Sequence, residues 1–283
     1  MDKYENDSIQ RQQTEINIIV NNINNISDSL FDNVINTPKV IEIFKKAHQS
    51  TTADKEKIRN NLYSLLKGNY KTFTKYGIQQ LHFHLPNNDS FLRFHKPLKH
   101  GDNLTNIRES VKYVNTYKKP AVGFEEGKIF NGYRFVYPLF TKDNQHIGSV
   151  EISSALLSFK KIIEESRNIH IDYILRKEVV ERKVFKDQMH NYVNYPLSKD
   201  FLIQKSFYED NKNDVHVKHR NEALNELSKD ENVIKRINNL EMFYQLQIHN
   251  FEIHTIHFIP LLNDFTSEKI GYIITFSKSH YFQ

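Results

Sequence analysis

Two stretches in separate halves of the chain repeat one pattern, and the repeat limits what the chain can fold into. Residues 133–152 read YRFVYPLFTKDNQHIGSVEI, and residues 255–274 read TIHFIPLLNDFTSEKIGYII. Each runs from an apolar, β-rich segment into Pro-Leu, crosses a polar turn, and resumes at Ile-Gly with a second β-rich segment. Pro138-Leu139 matches Pro260-Leu261 and Ile147-Gly148 matches Ile270-Gly271, the second turn being one residue longer. Each copy is a long antiparallel hairpin, and each closes its half of the chain. Duplication of one α+β module, helices first and antiparallel sheet after, predicts that placement.

The remainder fits this frame. Ile9, Ile16, Ile23 and Leu30 are seven residues apart, with Ile19 and Ile26 between them, and no proline intervenes before Pro38. This is an apolar seam on a helix of about 30 residues, roughly 45 Å long. It suits packing on the chain's own modules and also a parallel homodimer through the same helix. Thr37-Pro38 starts a second helix, with Thr37 as N-cap. A third spans about 53–75, carries Ile58, Leu62, Leu65, Leu66 and Phe73, and ends at Gly77. Strands are expected at 78–85, 90–96, 120–126, 132–141 and 146–155, with helices at 105–118 and 156–167. A strand at 170–177, a helix at about 220–240 and strands at 244–250, 252–261 and 269–277 follow. The expected fold class is α+β: a long N-terminal helix (1–36), then two modules (37–160 and 161–283), each an antiparallel sheet flanked by helices.

Composition narrows function by exclusion. The net charge of +5 is spread along the chain without a basic run, which argues against a nucleic-acid partner. There are no cysteines, so disulfides, thiolate metal sites and thiol catalysis are out. No apolar run reaches the length of a membrane span. No nucleophile elbow, phosphate loop or HExxH pattern is present, so an enzyme such as a hydrolase is the weakest of the readings.

Residues 81–95, LHFHLPNNDSFLRFH, are where chemistry concentrates. A hairpin around Pro86-Asn87-Asn88-Asp89 with a four-residue loop opposes 84 with 91, 83 with 92 and 82 with 93. One face then holds Leu81, Phe83, Leu85, Leu92 and Phe94, for which the N-terminal helix is the natural cover. The other holds His82, His84, Phe91, Arg93 and His95. Strands 121–125 and 133–137 in the same sheet add Glu125, Arg134, Tyr133 and Tyr137, and the helix at 105–118 is the expected lid. Arginine and histidine on one concave face suit a carboxylate or other small anion. Zinc is the rival, since three histidines could ligate it, but Arg93 opposite His82 disfavours a cation. No metal or other cofactor is expected. His249, His254 and His257, on the last strands, read as structural or surface.

The run FHLPNNDSFLRFHKPLKHGDNL, then Arg108, KKPAVGFEEG, YRFVYPLF and HIGSVEI, resembles the double-Cache sensor domain. This PAS-like family is also described as the double sensory domain of two-component sensor kinases. YILRKEVVERKVFKD and the final Pro-Leu…Ile-Gly-Tyr hairpin continue the likeness through the second half, more loosely. The resemblance implies a stalk helix, a membrane-distal ligand-binding module and a membrane-proximal one. It implies the extracytoplasmic, periplasmic part of an inner-membrane receptor (histidine kinase, chemoreceptor or diguanylate cyclase) held by flanking helices outside this sequence. The alternative is a stand-alone periplasmic small-molecule or zinc-binding protein. His84, Arg93, His95, Arg108, Glu125 and Arg134 match the family's recurrent polar positions. Asp102 also matches, as a cap for helix 105–118, while His82 enters on hairpin geometry alone. Gly123, Gly127 and Gly148 read as sites of bulges or close strand approach.

Overall fold

A computed structural model of the chain describes residues 3–127, 131–167, 169–209, 215–249 and 252–278. Helix α1 (Lys3–Leu30) buries Ile9, Ile16, Ile19 and Ile23 along one stripe and continues into a π-helical turn, Phe31–Ile35. Helix α2 (Pro38–Gln49) starts with Pro38 in its first turn, where a missing N–H is harmless; Thr37 is extended at the N-cap position, but its hydroxyl accepts no capping hydrogen bond. Helix α3 (Thr52–Phe73) is capped by Thr51, whose hydroxyl oxygen accepts from the Asp54 N–H. Gly77, at φ 81°, closes the short 3-10 turn behind it, a left-handed position that glycine takes at least cost.

The first sheet contains β1 (Ile78–His84), β2 (Ser90–Arg93), β3 (Ala121–Glu125), β4 (Gly132–Phe140) and β5 (His146–Ala155), ordered β2-β1-β5-β4-β3, with α4 (Glu109–Tyr117) between β2 and β3 in sequence. After α5 (Leu156–Arg167) comes a six-stranded sheet of β6 (His170–Arg176), β7 (Tyr192–Tyr195), β8 (Ser198–Gln204), β9 (Phe243–His249), β10 (Glu252–Leu262) and β11 (Lys269–Lys278), ordered β7-β8-β6-β11-β10-β9. Helices α6 (Lys177–Lys183), α7 (Lys205–Glu209), α8 (Val215–Leu227) and α9 (Glu231–Asn238) belong to this half. The single helix expected at 220–240 is therefore two, parted where Asp230 caps α9 by accepting from the Asn232 and Val233 N–H groups. Residue 250, the expected end of β9, lies outside the described residues.

The sequence repeat is a repeat of register. Leu139 pairs with Gly148 and Leu261 with Gly271, and in both hairpins the register slips immediately afterwards. The strand that carries each glycine sits mid-sheet and also pairs with the first strand of its half, β5 with β1 and β11 with β6. A Cβ on Gly148 would stand 2.1 Å from the His84 carbonyl oxygen, and one on Gly271 would stand 1.9 Å from that of Ile174. Both glycines let a neighbouring backbone come close.

Layering differs from expectation in one respect. The apolar face of the β1–β2 hairpin is covered by α2 and α3, not by α1: Phe44 of α2 packs on Phe83, and Tyr63 and Tyr70 of α3 pack on Phe94. Helix α1 instead runs from the second sheet to the first. Near its start the Ser8 hydroxyl meets Nε2 of His257 in β10 at 2.8 Å, and near its end Asp28 accepts from the Tyr137 hydroxyl in β4 at 2.9 Å. His257 also meets the Thr275 hydroxyl, so its role is structural as expected. The two halves touch again where the β10–β11 turn reaches the edge strand β3. The Phe124 N–H donates to Asp264 Oδ2 (2.5 Å), the Asp264 N–H donates to the Phe124 carbonyl (3.1 Å), and the Asn263 amide donates to Glu126 (2.6 Å). Gly123 makes room for this contact, since a Cβ there would lie 2.4 Å from that of Asp264.

Candidate ligand-binding site

The β1–β2 hairpin forms with His82 opposite Arg93 and Phe83 opposite Leu92, but His84 pairs with Ser90. Phe91 is the bulged residue. It turns to the helical side, 5.4 Å from the Phe44 ring and beneath the Arg59 guanidinium, rather than joining the polar face. Its place beside the histidines goes to Ser90, whose hydroxyl meets His82 Nε2 at 2.8 Å. A strict opposed-pair rule cannot anticipate this, because one extra residue reverses the facing of everything beyond it.

Tyr133 and Tyr137 are likewise corrected. They alternate with Arg134 along β4 and so point to the opposite face. Tyr133 stacks on Phe159 of α5, and Tyr137 stacks on Phe31 and donates to Asp28. Burial and the Asp28 carboxylate together push the Tyr137 hydroxyl pKa up. Tyr137→Phe is expected to cost about 1 kcal/mol in chemical unfolding, the worth of one buried hydrogen bond, with ligand response intact.

The polar face gathers His82, His84, Arg93, His95, Glu125 and Arg134, and it includes residues the hairpin reading did not reach. Strand β5 lies between β1 and β4 and brings Glu151 opposite His82 and Ser149 opposite His84. The signal for these was present: Ser149, Glu151 and Ser153 alternate with Gly148, Val150 and Ile152 in an otherwise apolar strand. Arg134, fully buried, donates to Glu151 at 2.6 Å and lies 3.5 Å from Glu125. Glu125 in turn receives the Glu109 N–H at 2.7 Å and the Ser110 hydroxyl at 2.8 Å. The carboxylate of a strand thus caps the N-terminus of α4, which packs across β3, β4 and β5 as the lid. The capping role expected of Asp102 belongs to Glu125. Asp102 instead accepts both terminal nitrogens of Arg93, at 2.7 and 2.8 Å, and the Lys99 carbonyl takes a further Arg93 bond.

The imidazoles are neutral at physiological pH. Burial lowers all three; His82 falls well below its usual value, His84 to about 3 and His95 to about 4, with nearby guanidiniums adding to the effect. Burial alone would raise Glu151, but Arg134, Arg108 and His84 overcome it and hold the carboxyl at about 2. In Glu125 burial prevails over Arg108 and Arg134, and its pKa is raised.

Arg134 donates to Gln80 Oε1 at 3.5 Å, so the Gln80 amide nitrogen is the atom that faces His95 Nε2 at 3.2 Å. That ring nitrogen must accept, which leaves the His95 proton on Nδ1. His95 Nδ1, His84 Nε2, Glu151 Oε2 and Ser153 Oγ are buried and have no hydrogen-bond partner among the described residues. Glu151 Oε2 lies 3.9 Å from both His84 Nε2 and His82 Nδ1, too far for a direct bond and suited to one bridging polar atom. Arg108, immediately before α4, donates to the Glu126 carbonyl at 3.3 Å and has no carboxylate partner among the described residues. Burial, with Arg134 next, pushes its guanidinium down to about 10, so it stays charged at neutral pH. Two open surface depressions, about 490 and 530 Å³, lie in the second half, beside Lys229 and Lys235 and beside Arg176 and Asp200. Neither touches this cluster.

Comparison with known proteins gives these observations a family. Residues 10–175 match the profile of the double sensory domain of two-component sensor kinases. Among solved structures, a domain of a sensory box/GGDEF family protein from Vibrio parahaemolyticus aligns over 97% of this chain and 96% of its own at 13% identity, with a TM-score of 0.45. The ligand-binding domain of the Campylobacter jejuni chemoreceptor Tlp3, in complex with L-valine, aligns over 99% of this chain and 98% of its own at 9% identity and a TM-score of 0.42. The E. coli DcuS sensor domain covers 52% of this chain, with 98% of its own length aligned, at 12% identity and a TM-score of 0.38. No residue role transfers at these identities. No curated protein sequence matches the chain.

Proposed function

The chain belongs to the family of double sensory domains of two-component sensor kinases, and on that premise we propose that its first module binds a small anionic ligand beneath α4. The reading divides the chain into a stalk helix (1–36), a membrane-distal binding module (37–160) and a membrane-proximal module (161–283). It places all three outside the cytoplasm of a membrane-anchored receptor, periplasmic in an inner-membrane protein. The module binds and reports; no catalytic step is assigned to it.

One observation carries the ligand reading: a charged Arg108 with no carboxylate in ion-pair contact among the described residues stands at the lid's start, beside a face where His95 Nδ1, His84 Nε2, Glu151 Oε2 and Ser153 Oγ are buried and unpartnered. Buried polar groups are paired as a rule, so unpaired ones on a shared face call for an occupant. Arg108 supplies the charge for an anionic group, His95 Nδ1–H a donor, and Glu151 Oε2 an acceptor for a hydroxyl or ammonium on the same ligand. Arg93, held by Asp102, shapes the field and the hairpin rather than gripping the ligand. Closure of α4 over the ligand would favour one state of the sheet; shifting a 1:99 equilibrium to 99:1 needs about 5.5 kcal/mol of differential affinity. A parallel dimer through α1 belongs to the same reading, with Ile18 and Ile26, each 39% exposed, as its contact.

A zinc reading has its own observation: ligand atoms of His82, His84 and Glu151 lie within 4.8 Å of one another. Donors around zinc at about 2.0–2.1 Å stand about 3.4 Å apart, and here Glu151 Oε2 is 3.9 Å from each imidazole nitrogen. The guanidiniums that depress these histidines also oppose a dication. Calorimetry with a panel of small carboxylates and hydroxy acids on the whole chain tests the proposal. Arg108→Gln should weaken binding by about 30-fold, the value of a charge-assisted hydrogen bond near 2 kcal/mol. Undiminished affinity in that variant overturns the assignment, and stoichiometric zinc in tag-free protein favours the metal reading.

A further inference from the structure

The second module carries a buried polar cluster at the place the histidines hold in the first. The two glycines align the sheets: Glu151, three residues beyond Gly148, faces His82, and Ile274, three beyond Gly271, faces Asp172. Asp172 is thus the counterpart of His82. Its side of the sheet also carries Tyr272, whose hydroxyl donates to the Glu241 carbonyl (2.9 Å) and lies 3.3 Å from those of Arg236 and Ile237 in α9, while α8 reaches the same face through Arg220, so these helices stand here where α4 stands in the first module. Asp172 is fully buried. The Tyr195 hydroxyl donates to its Oδ2 (2.9 Å), and Nη1 of Arg220, from α8, donates to its Oδ1 (3.1 Å). Arg220 Nη1 also contacts His170 Nε2, and His170 Nδ1 faces Glu164 at 2.5 Å. Lys160 of α5 lies 3.9 Å from Asp172 and donates to the Phe207 carbonyl at 2.9 Å.

Arg220 is the member of this cluster that keeps unspent donors. Its Nε and Nη2 are buried without a hydrogen-bond partner among the described residues, in a side chain only 3% exposed. These two N–H groups run parallel along one edge of the guanidinium plane. That edge is a two-point donor matched to a planar oxyanion, while Nη1, on the far side, is fixed by Asp172 and holds the plane in place. We propose that the second module holds a second ligand site, in which Arg220 binds a small carboxylate side-on through Nε and Nη2. The site is independent of Arg108 and of the first-module reading.

The test uses the whole chain with 15N-labelled arginine and acetate and pyruvate as probes, read at the arginine Nε–H resonances. Arg220→Lys identifies the Arg220 signal by its loss; lysine keeps the charge beside Asp172 but offers no edge. Both probes should move that signal saturably, and Arg220→Lys should weaken calorimetric binding to this site at least about tenfold. Arg108→Gln should leave the Arg220 titration unchanged, which separates failure of the first site from failure of this one. An Arg220 signal unmoved by either probe, or moved equally by chloride at matched ionic strength, overturns the proposal. If Arg220→Lys does not fold, a crystal structure of the wild-type chain soaked in pyruvate decides it: a carboxylate across Nε and Nη2 of Arg220 supports the site, and an empty edge overturns it.

Discussion

Gly271→Ala is expected to lower the unfolding free energy by about 3–5 kcal/mol, the range reached by severe core substitutions. The added methyl would stand 1.9 Å from the Ile174 carbonyl oxygen and 2.9 Å from Leu175 Cα. Both atoms are backbone, in the strand pair β6–β11, so no side chain can yield. Relief requires the two strands to part and forfeits hydrogen bonds in the middle of a six-stranded sheet. Gly148→Ala should be comparably severe, because its methyl would meet the His84 carbonyl at 2.1 Å and its φ of 132° is a region that side chains avoid. Urea unfolding followed by circular dichroism measures both. If the modules melt separately, Gly271→Ala should depress the second-module transition and Gly148→Ala the first. A loss below about 1 kcal/mol in either, within the ordinary range for point substitutions, would mean that the strands can separate there cheaply.

Arg134→Leu should cost about 3–5 kcal/mol at neutral pH, because it leaves two carboxylates buried on one face without the cation in contact with them. Glu151 is 2.6 Å and Glu125 3.5 Å from that guanidinium. The sign with pH follows from which form of each carboxyl the fold prefers. In the wild type, Glu151 is held at about 2, below its unfolded value. Its contribution is therefore present above the ordinary carboxylate range and disappears as pH falls towards 2. Glu125, raised by burial, acts with the opposite sign and offsets part of this above its own folded pKa. Without Arg134, Arg108 is the main cation left to oppose burial, so both carboxyls take up protons more readily and the deficit should shrink as pH is lowered from 7 to about 4.5. Urea midpoints of both proteins at the two pH values give the comparison. A deficit that does not change with pH would assign the loss to packing instead of charge.

Much of the architecture was legible because it rests on strong local signals. The Pro-Leu…Ile-Gly repeat foretold two hairpins in matching register, and the isoleucine spacing foretold the buried stripe of α1. Sheet order was less accessible. Nothing local in residues 146–155 says that this strand inserts between β1 and β4, and with it came Glu151, the acid that organises the site. The bulge at Phe91 was invisible because its cause is tertiary: the ring finds Phe44 and Arg59 on the helical side. Tyr133 and Tyr137 are a different kind of miss, since period-two alternation from Arg134 already puts them on the other face. The pairing of Arg93 with Asp102 depended on how residues 94–101 fold back, which no spacing rule supplies.

Phe124, Glu125 and Glu126 are consecutive, yet each answers to a different part of the molecule. Phe124 is bound through its backbone to Asp264, Glu125 holds the first turn of α4, and Glu126 takes the Asn263 amide. The three are mechanically in series. A tilt of α4 that tugs on Glu125 loads the bonds on either side of it, so displacement at the rim of one sheet is delivered to a hairpin tip of the other with no flexible linker to absorb it.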